Sequence, residues 1–255
     1  MSQNNPYYMT NTFCICLCTA FVLLLCGSAV TAAEYRFVKS FPVAVEEPSG
    51  LAYDTKTDTL WTVRDGGGGL YQIDKRGIVL ETIDVPSNDL EGIAYKPATD
   101  TFLLAEERYR EIKEIDKQGK TLRTVKVPIN YRLWHFNHGL EGIAHNPENG
   151  HVFVVNEKDP RRVMELDEGG TIAGSFEVDE ADDLSGIHRD TGSGNLLILS
   201  HESKKVMEYT PGGKLLGSFT IDVPKAEGIT MDADGNIYII CDETNTLYVY
   251  SPVEG

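Results

Sequence analysis

The chain is short of basic charge. It carries 23 Lys and Arg against 39 Asp and Glu, a formal net charge of -16 over 255 residues, and no Lys or Arg precedes Arg36. A field of that sign repels nucleic acid and anionic lipid and favours cations or basic partners, so no nucleic-acid role is expected. Cysteine is nearly missing from the part that can fold. Cys14, Cys16, Cys18 and Cys26 sit in the first apolar run, which leaves Cys241 alone in the body and excludes a disulfide framework. Cys241 closes an Ile-Tyr-Ile-Ile run with no activating base near it in sequence, and it reads as a small core residue. Neither a G-x-S-x-G elbow nor an H-E-x-x-H pair occurs. No segment after Ala33 carries a clear helical signal. What remains, 41% hydrophobic and 24% charged, suits one ordinary globular domain and excludes disorder and collagen.

Residues 13–33 form an uncharged apolar run followed at once by Glu34-Tyr35-Arg36. Residues 1–33 are therefore expected to be an export signal or a single membrane anchor, and residues 34–255 the folded domain. Thr31-Ala32-Ala33 and Val30-Thr31-Ala32 both end in the small residue that cleavage requires, whereas the stretch before the run lacks the usual basic residues. Either way the body is expected outside the cytoplasmic membrane, in the periplasm or on the outer face of that membrane, with or without an anchor.

The body repeats itself. Its marker is Glu or Ser, then Gly, then Ile or Leu: Ser49-Gly50-Leu51, Glu91-Gly92-Ile93, Glu141-Gly142-Ile143, Ser185-Gly186-Ile187 and Glu227-Gly228-Ile229, with glycines 42, 50, 44 and 42 residues apart. That period is the size of a propeller blade. Each marker opens a short strand, an apolar strand such as Val152-Phe153-Val154-Val155 follows, and then comes an alternating one such as Val163-Met164-Glu165-Leu166-Asp167. In the first four copies a glycine turn leads to a fourth strand. The fifth copy stops before its fourth strand, and Phe37-Val38-Lys39-Ser40-Phe41 resembles the missing one. The pattern predicts an all-β fold, a five-bladed β-propeller of four-stranded antiparallel blades, closed by the N-terminal strand completing the last blade. A six-bladed ring, with a degenerate blade in the longer second unit, is the alternative.

In a propeller the start of each innermost strand and the end of the next strand share one face. A first set of positions, Ser49, Glu91, Glu141, Ser185 and Glu227, and a second, Asp65, Glu107, Glu157, His201 and Asp242, are thus expected to converge on one channel mouth. Crowded carboxylates are costly unless a cation or water screens them, and an oxygen-only donor set with no Cys and few His suits Ca²⁺ or Mg²⁺ better than zinc. Glu91, Glu141 and Glu227 are the principal candidate ligands, with Glu107, Glu157 and Asp242 behind them. Arg64, Arg108 and Lys158 adjoin Asp65, Glu107 and Glu157, so the second set also reads as plain surface ion pairs. The longer second interval adds a connection over the same mouth with Tyr131, Trp134, His135 and His138, suited either to ligand binding or to plugging the channel. His201 and His135 are the candidate proton carriers. His145, His151 and His188 show no recognisable spacing. The glycine run at residues 66–69 lacks the following Lys-Ser/Thr of a phosphate cradle and reads as a flexible loop.

Asp89-Leu90-Glu91-Gly92-Ile93, Gly139-Leu140-Glu141-Gly142-Ile143-Ala144, Leu199-Ser200-His201-Glu202-Ser203 and Ala226-Glu227-Gly228-Ile229-Thr230 give the body a resemblance to the SdiA-regulated (YjiK-like) family of bacterial exported proteins, from about residue 41 to 252. The resemblance implies a propeller exported or tethered at the envelope, with a metal ion, calcium, near the pore. The positions it carries over are Glu91, Glu141, His201, Glu202 and Glu227. The family name records regulation and not an activity. Two functions stay open: a calcium-binding module that recognises a small ligand or an envelope protein, expected as a monomer, and a calcium-dependent lactonase- or esterase-like hydrolase with His201 or His135 as base. A purely structural scaffold is a third.

Overall fold

The computed structural model describes residues 34–87, 89–129 and 139–253. Residues 1–33, expected to be a signal or anchor, and the connection carrying Tyr131, Trp134, His135 and His138 lie outside the described residues. After an opening strand, β1 (Tyr35–Pro42), the chain builds four blades in sequence order. The first is β2 (Pro48–Asp54), β3 (Thr59–Arg64), β4 (Leu70–Ile73) and β5 (Val79–Ile83). The second is β6 (Leu90–Lys96), β7 (Thr101–Glu106), β8 (Glu111–Ile115) and β9 (Thr121–Lys126). The third is β10 (Leu140–His145), β11 (Val152–Asn156), β12 (Arg162–Leu166) and β13 (Ile172–Glu177), and the fourth β14 (Gly186–Arg189), β15 (Leu196–Ser200), β16 (Lys205–Tyr209) and β17 (Leu215–Thr220). The last blade is β18 (Ala226–Met231), β19 (Ile237–Cys241) and β20 (Thr246–Pro252), and its outer strand is β1, paired antiparallel to β20 from Tyr35↔Pro252 to Pro42↔Thr246. The predicted five blades and their closure are both present. The added length of the second interval falls between β9 and β10, and the two blades flanking it pack directly on each other, so no sixth blade separates them.

The alternation of the sequence sets this architecture. Second strands are buried on both faces, wholly in β7 and all but the end residues in β3, whereas outer strands such as β9 are exposed along nearly their whole length. Blades pack face to face through five hydrophobic clusters, each shared by two neighbours, and the fifth joins Tyr238, Ile240 and Leu247 of the last blade to Leu51, Leu60 and Ile73 of the first. Trp61 and Phe102, fully buried, meet across the first interface with ring centroids 4.8 Å apart. Burial of this kind stabilises by roughly 25 cal/mol per Å² of apolar surface, which makes these seams the main attraction between blades. Cys241 is buried in one of them, as a core residue.

The marker glycines have a packing reason. Each inner strand lies so close to the next that a Cβ on Gly92 would stand 2.3 Å from the Glu141 carbonyl oxygen, and one on Gly228 2.5 Å from the Gly50 carbonyl carbon. Gly50, with φ of 52°, also needs the left-handed region. Five inner strands can close so tight a ring only where the backbone carries no side chain.

Candidate functional site

In four of the five blades the inner strand has a register irregularity at its marker glycine, between Ser49 and Leu51, Leu90 and Gly92, Leu140 and Ile143, and Ala226 and Gly228. Such a bulge bends the strand and re-aims the side chain beside it. The second set follows directly on β3, β7, β11, β15 and β19, and four of its backbone N–H groups are tied to the residue two places before a marker: Asp65 N donates to Glu47 O, Glu107 N to Asp89 O, Glu157 N to Gly139 O and Asp242 N to Lys225 O, each at 3.0 Å. Both sets are thereby held at one face. All ten residues of the two sets line a single cavity of about 740 Å³ at that mouth.

Arg108, expected there as a partner of Glu107, lines the cavity too, as do Asp89, Lys225 and Arg110, to which the sequence reading gave no place at the mouth. Asp89 and Lys225 belong to a third recurring position, two residues before each marker, occupied by Glu47, Asp89, Gly139, Asp183 and Lys225. Gly139 leaves the space into which Glu107 folds: Glu107 Oε1 accepts from Gly139 N at 2.8 Å, and a Cβ there would meet Glu107 Cγ at 2.4 Å.

The expected ion pairs of the second set form only in part. Lys158 Nζ lies 3.4 Å from Glu157 Oε1, but Arg64 pairs with Glu46 at 2.9 Å and Arg108 Nε stands 3.7 Å from Asp89 Oδ2. Negative charge therefore dominates the mouth. Burial, with Asp65, Glu107 and Glu227 nearby, pushes the Glu91 carboxyl well above its ordinary range even though Ser49 Oγ donates to it at 2.8 Å. Burial and Glu91 raise Glu141 likewise. Glu107 is pushed up to about 7 by burial and Asp89. Burial also takes Glu227 to about 7, against the opposing pull of His201 and Lys225. Lys225 pairs with Asp242 and stands 3.6 Å from Glu227 Oε1, relieving one side of the cavity.

One set of three among the described residues, Asp65, Asp89 and Glu91, has ligand oxygens all within 4.8 Å of one another. Of the three principal candidate ligands, it contains Glu91; Glu141 and Glu227 lie elsewhere on the same wall. These are carboxylate oxygens, the donors a hard divalent cation takes.

His201 stands apart in chemistry. Its Nδ1 lies 2.7 Å from Oδ2 of Asp183, whose side chain is fully buried, and Asp183 Oδ1 accepts from the Ser200 hydroxyl and, at 3.1 Å, from Glu202 N. Burial would raise the Asp183 carboxyl, but the adjacent His201 and the bond from Ser200 hold it below its ordinary value, and Asp183 in turn raises His201. A carboxylate that fixes one imidazole nitrogen leaves the other to carry a proton. Glu202 pairs with Lys158 at 2.6 Å.

A closed five-bladed ring with an acidic mouth is the class that fold and site define. The chain belongs to the SdiA-regulated family, whose family model matches residues 29–251. Among solved structures it is similar to a streptogramin B lyase (15% identity, 86% of this chain and 73% of that one, TM-score 0.53). It is also similar to a catalytically inactive histidine-to-alanine virginiamycin B lyase of Staphylococcus aureus with quinupristin (15%, 81% and 82%, TM-score 0.52), and to the WD40 propeller domain of Doa1 (12%, 80% and 78%, TM-score 0.53). At such identities the likeness is one of fold.

Proposed function

We propose that the protein is an exported, monomeric calcium-binding propeller of the bacterial envelope, whose acidic mouth recognises a small ligand or an envelope protein through the bound ion. The observation that carries this reading is the crowding of carboxylates whose mutual repulsion their own cations do not offset, with Glu91 and Glu141 raised well above their ordinary range. A Ca²⁺ ion takes 6 to 8 oxygens in irregular geometry. Asp65, Asp89 and Glu91 would hold it directly, and Glu141, Glu227, Glu107, Glu157 and Asp242 would complete its shell through water or close on a ligand. The apolar leader, residues 13–33, supports export. Calcium titration of the purified protein by calorimetry tests the reading. One saturable site is expected, weakened about tenfold or more by Glu91→Gln, by Glu141→Gln and by Asp89→Asn; no binding, or binding indifferent to all three, overturns it.

The Asp183–His201 pair favours a second reading, a metal-dependent hydrolase. An ion in the mouth would polarise a carbonyl and His201 would move the proton. The lyases to which the fold is similar include a variant made inactive by loss of a histidine. Calcium-dependent turnover of a lactone or ester that disappears in His201→Ala would establish this reading over simple binding.

A further inference from the structure

The opposite opening of the ring carries a second cavity, of about 190 Å³, at the far ends of the same inner strands. Between the two openings the marker glycines pinch the channel to a void of about 10 Å³, room for one water at most. What enters one opening therefore does not reach the other.

The second cavity presents no free charge. Asp190 accepts from Gly192 N, Ser193 N and the Ser193 hydroxyl, and Asp232 accepts from Asn236 N and Tyr238 and pairs with Lys75 at 3.1 Å. Arg189 Nη2 donates to Glu148 at 3.0 Å, and its Nε and Nη1 are sealed from solvent, so the guanidinium has no donor to offer there. Leu51, Ile93 and Met231 supply an apolar wall, and Tyr53 and Tyr95 commit their hydroxyls to Asp58 and Asp100.

Two imidazoles are not engaged in this way. His145, on β10, and His188, on β14, both line the cavity and are part-exposed. Among the described residues neither ring nitrogen of His145 has a hydrogen-bond partner, and His188 has one at Nδ1 alone, 3.3 Å from Thr230 Oγ1. Unlike those of Arg189, these unpaired nitrogens are not sealed from solvent. Burial is the chief cause that brings both histidines down to about 4, so both are neutral near pH 7. A neutral imidazole holds one N–H and one bare nitrogen, and so donates on one side and accepts on the other. A carboxylate only accepts and an ammonium only donates, whereas a hydroxyl does both.

We propose that this opening binds a phenol, one aromatic ring bearing one hydroxyl, with the hydroxyl bonded to His145 and His188 and the ring against Leu51, Ile93 and Met231. An apolar cavity of about 150 Å³ holds benzene, so the space here fits a ring and its oxygen. The Met231 thioether favours an aromatic ring beside it. The site requires no metal and stands whether or not the acidic mouth binds calcium.

Phenol itself is the probe, titrated into the intact protein by calorimetry with a chelator present, and fluorobenzene is its match in size without a hydroxyl. One saturable phenol site is expected, with fluorobenzene about fivefold weaker or worse because the imidazole nitrogens then stay unpaired. His145→Phe keeps a ring at that position and should weaken phenol by about fivefold or more. In the unaltered protein, phenol should shift the imidazole resonances of His145 and His188 and leave those of His201, beyond the pinch, unmoved. No saturable binding up to about 10 mM phenol overturns the proposal. So does equal affinity for fluorobenzene, undiminished binding to His145→Phe, or a shift at His201 in place of the other two. Should His145→Phe fail to fold, the resonances and fluorobenzene decide the matter alone.

Discussion

Asp183 governs what His201 can do. It is fully buried, takes bonds from Ser200 and the Glu202 backbone, and touches His201 Nδ1, so its charge is fixed in place before any ligand arrives. Because Asp183 is the largest influence raising the His201 pKa, Asp183→Asn should lower that pKa, read from the imidazole resonances in an NMR titration; a value unchanged or higher would remove Asp183 from its positioning role. His201 itself was legible, because its offset from a marker placed it with four carboxylates. Asp183 was not, although it occupies the same repeat position as Asp89 and Lys225. That position faces the mouth through side chains of either sign, or through the bare backbone of Gly139, and so shows no common chemistry to a reader of the sequence. His145 and His188 were illegible for a related reason: they stand at neighbouring but different offsets, and their partners at those offsets are mostly apolar.

At the scale of the strand, the marker glycine was the strongest signal in the sequence, and its period alone announced the blades. Its meaning needed coordinates. Periodicity shows where an inner strand starts, whereas the 2.3 Å approach of a Cβ on Gly92 to a neighbouring carbonyl depends on how many blades close the ring. Gly92→Ala must push two inner strands apart, and overpacking against backbone costs about 1–3 kcal/mol. A loss of about 2 kcal/mol is expected in denaturant unfolding. Gly212→Ala, in a turn where the added carbon meets nothing nearer than 3.9 Å, should stay within about 0.5 kcal/mol. Equal effects at the two positions would show that the ring is not pinched at its waist.

For the molecule as a whole, the acidic mouth makes folding depend on pH in an unusual direction. Glu227 is 8% exposed, and its pKa of about 7 in the fold exceeds the ordinary 4.5. A group raised in this way favours the fold fully below 4.5 and loses its contribution as pH rises through 7, an effect of roughly 3 kcal/mol. Glu107, Glu91 and Glu141 act in the same sense; His145 and His188, lowered from 6.5 to about 4 by burial, oppose them, gaining stability as pH rises to 6.5, while Asp54, Asp183 and Asp232, all lowered, lose their contributions only in stronger acid. Above the histidine range, between pH 6.5 and pH 8, the melting temperature in chelator should therefore fall, and millimolar Ca²⁺ should restore it at pH 8. A melting temperature that rises over that interval in chelator would show that the mouth is not under electrostatic strain. The pairing of β1 with β20 bears on the order in which the molecule can be made. The first strand to leave the ribosome must wait beside no partner until the last one arrives, some two hundred residues later. The ring cannot close before β20 is in place, and the pairing that closes it has the largest sequence separation of any strand pair among the described residues. An unfinished chain keeps a free outer strand, pliable enough to be threaded or to be captured by a chaperone.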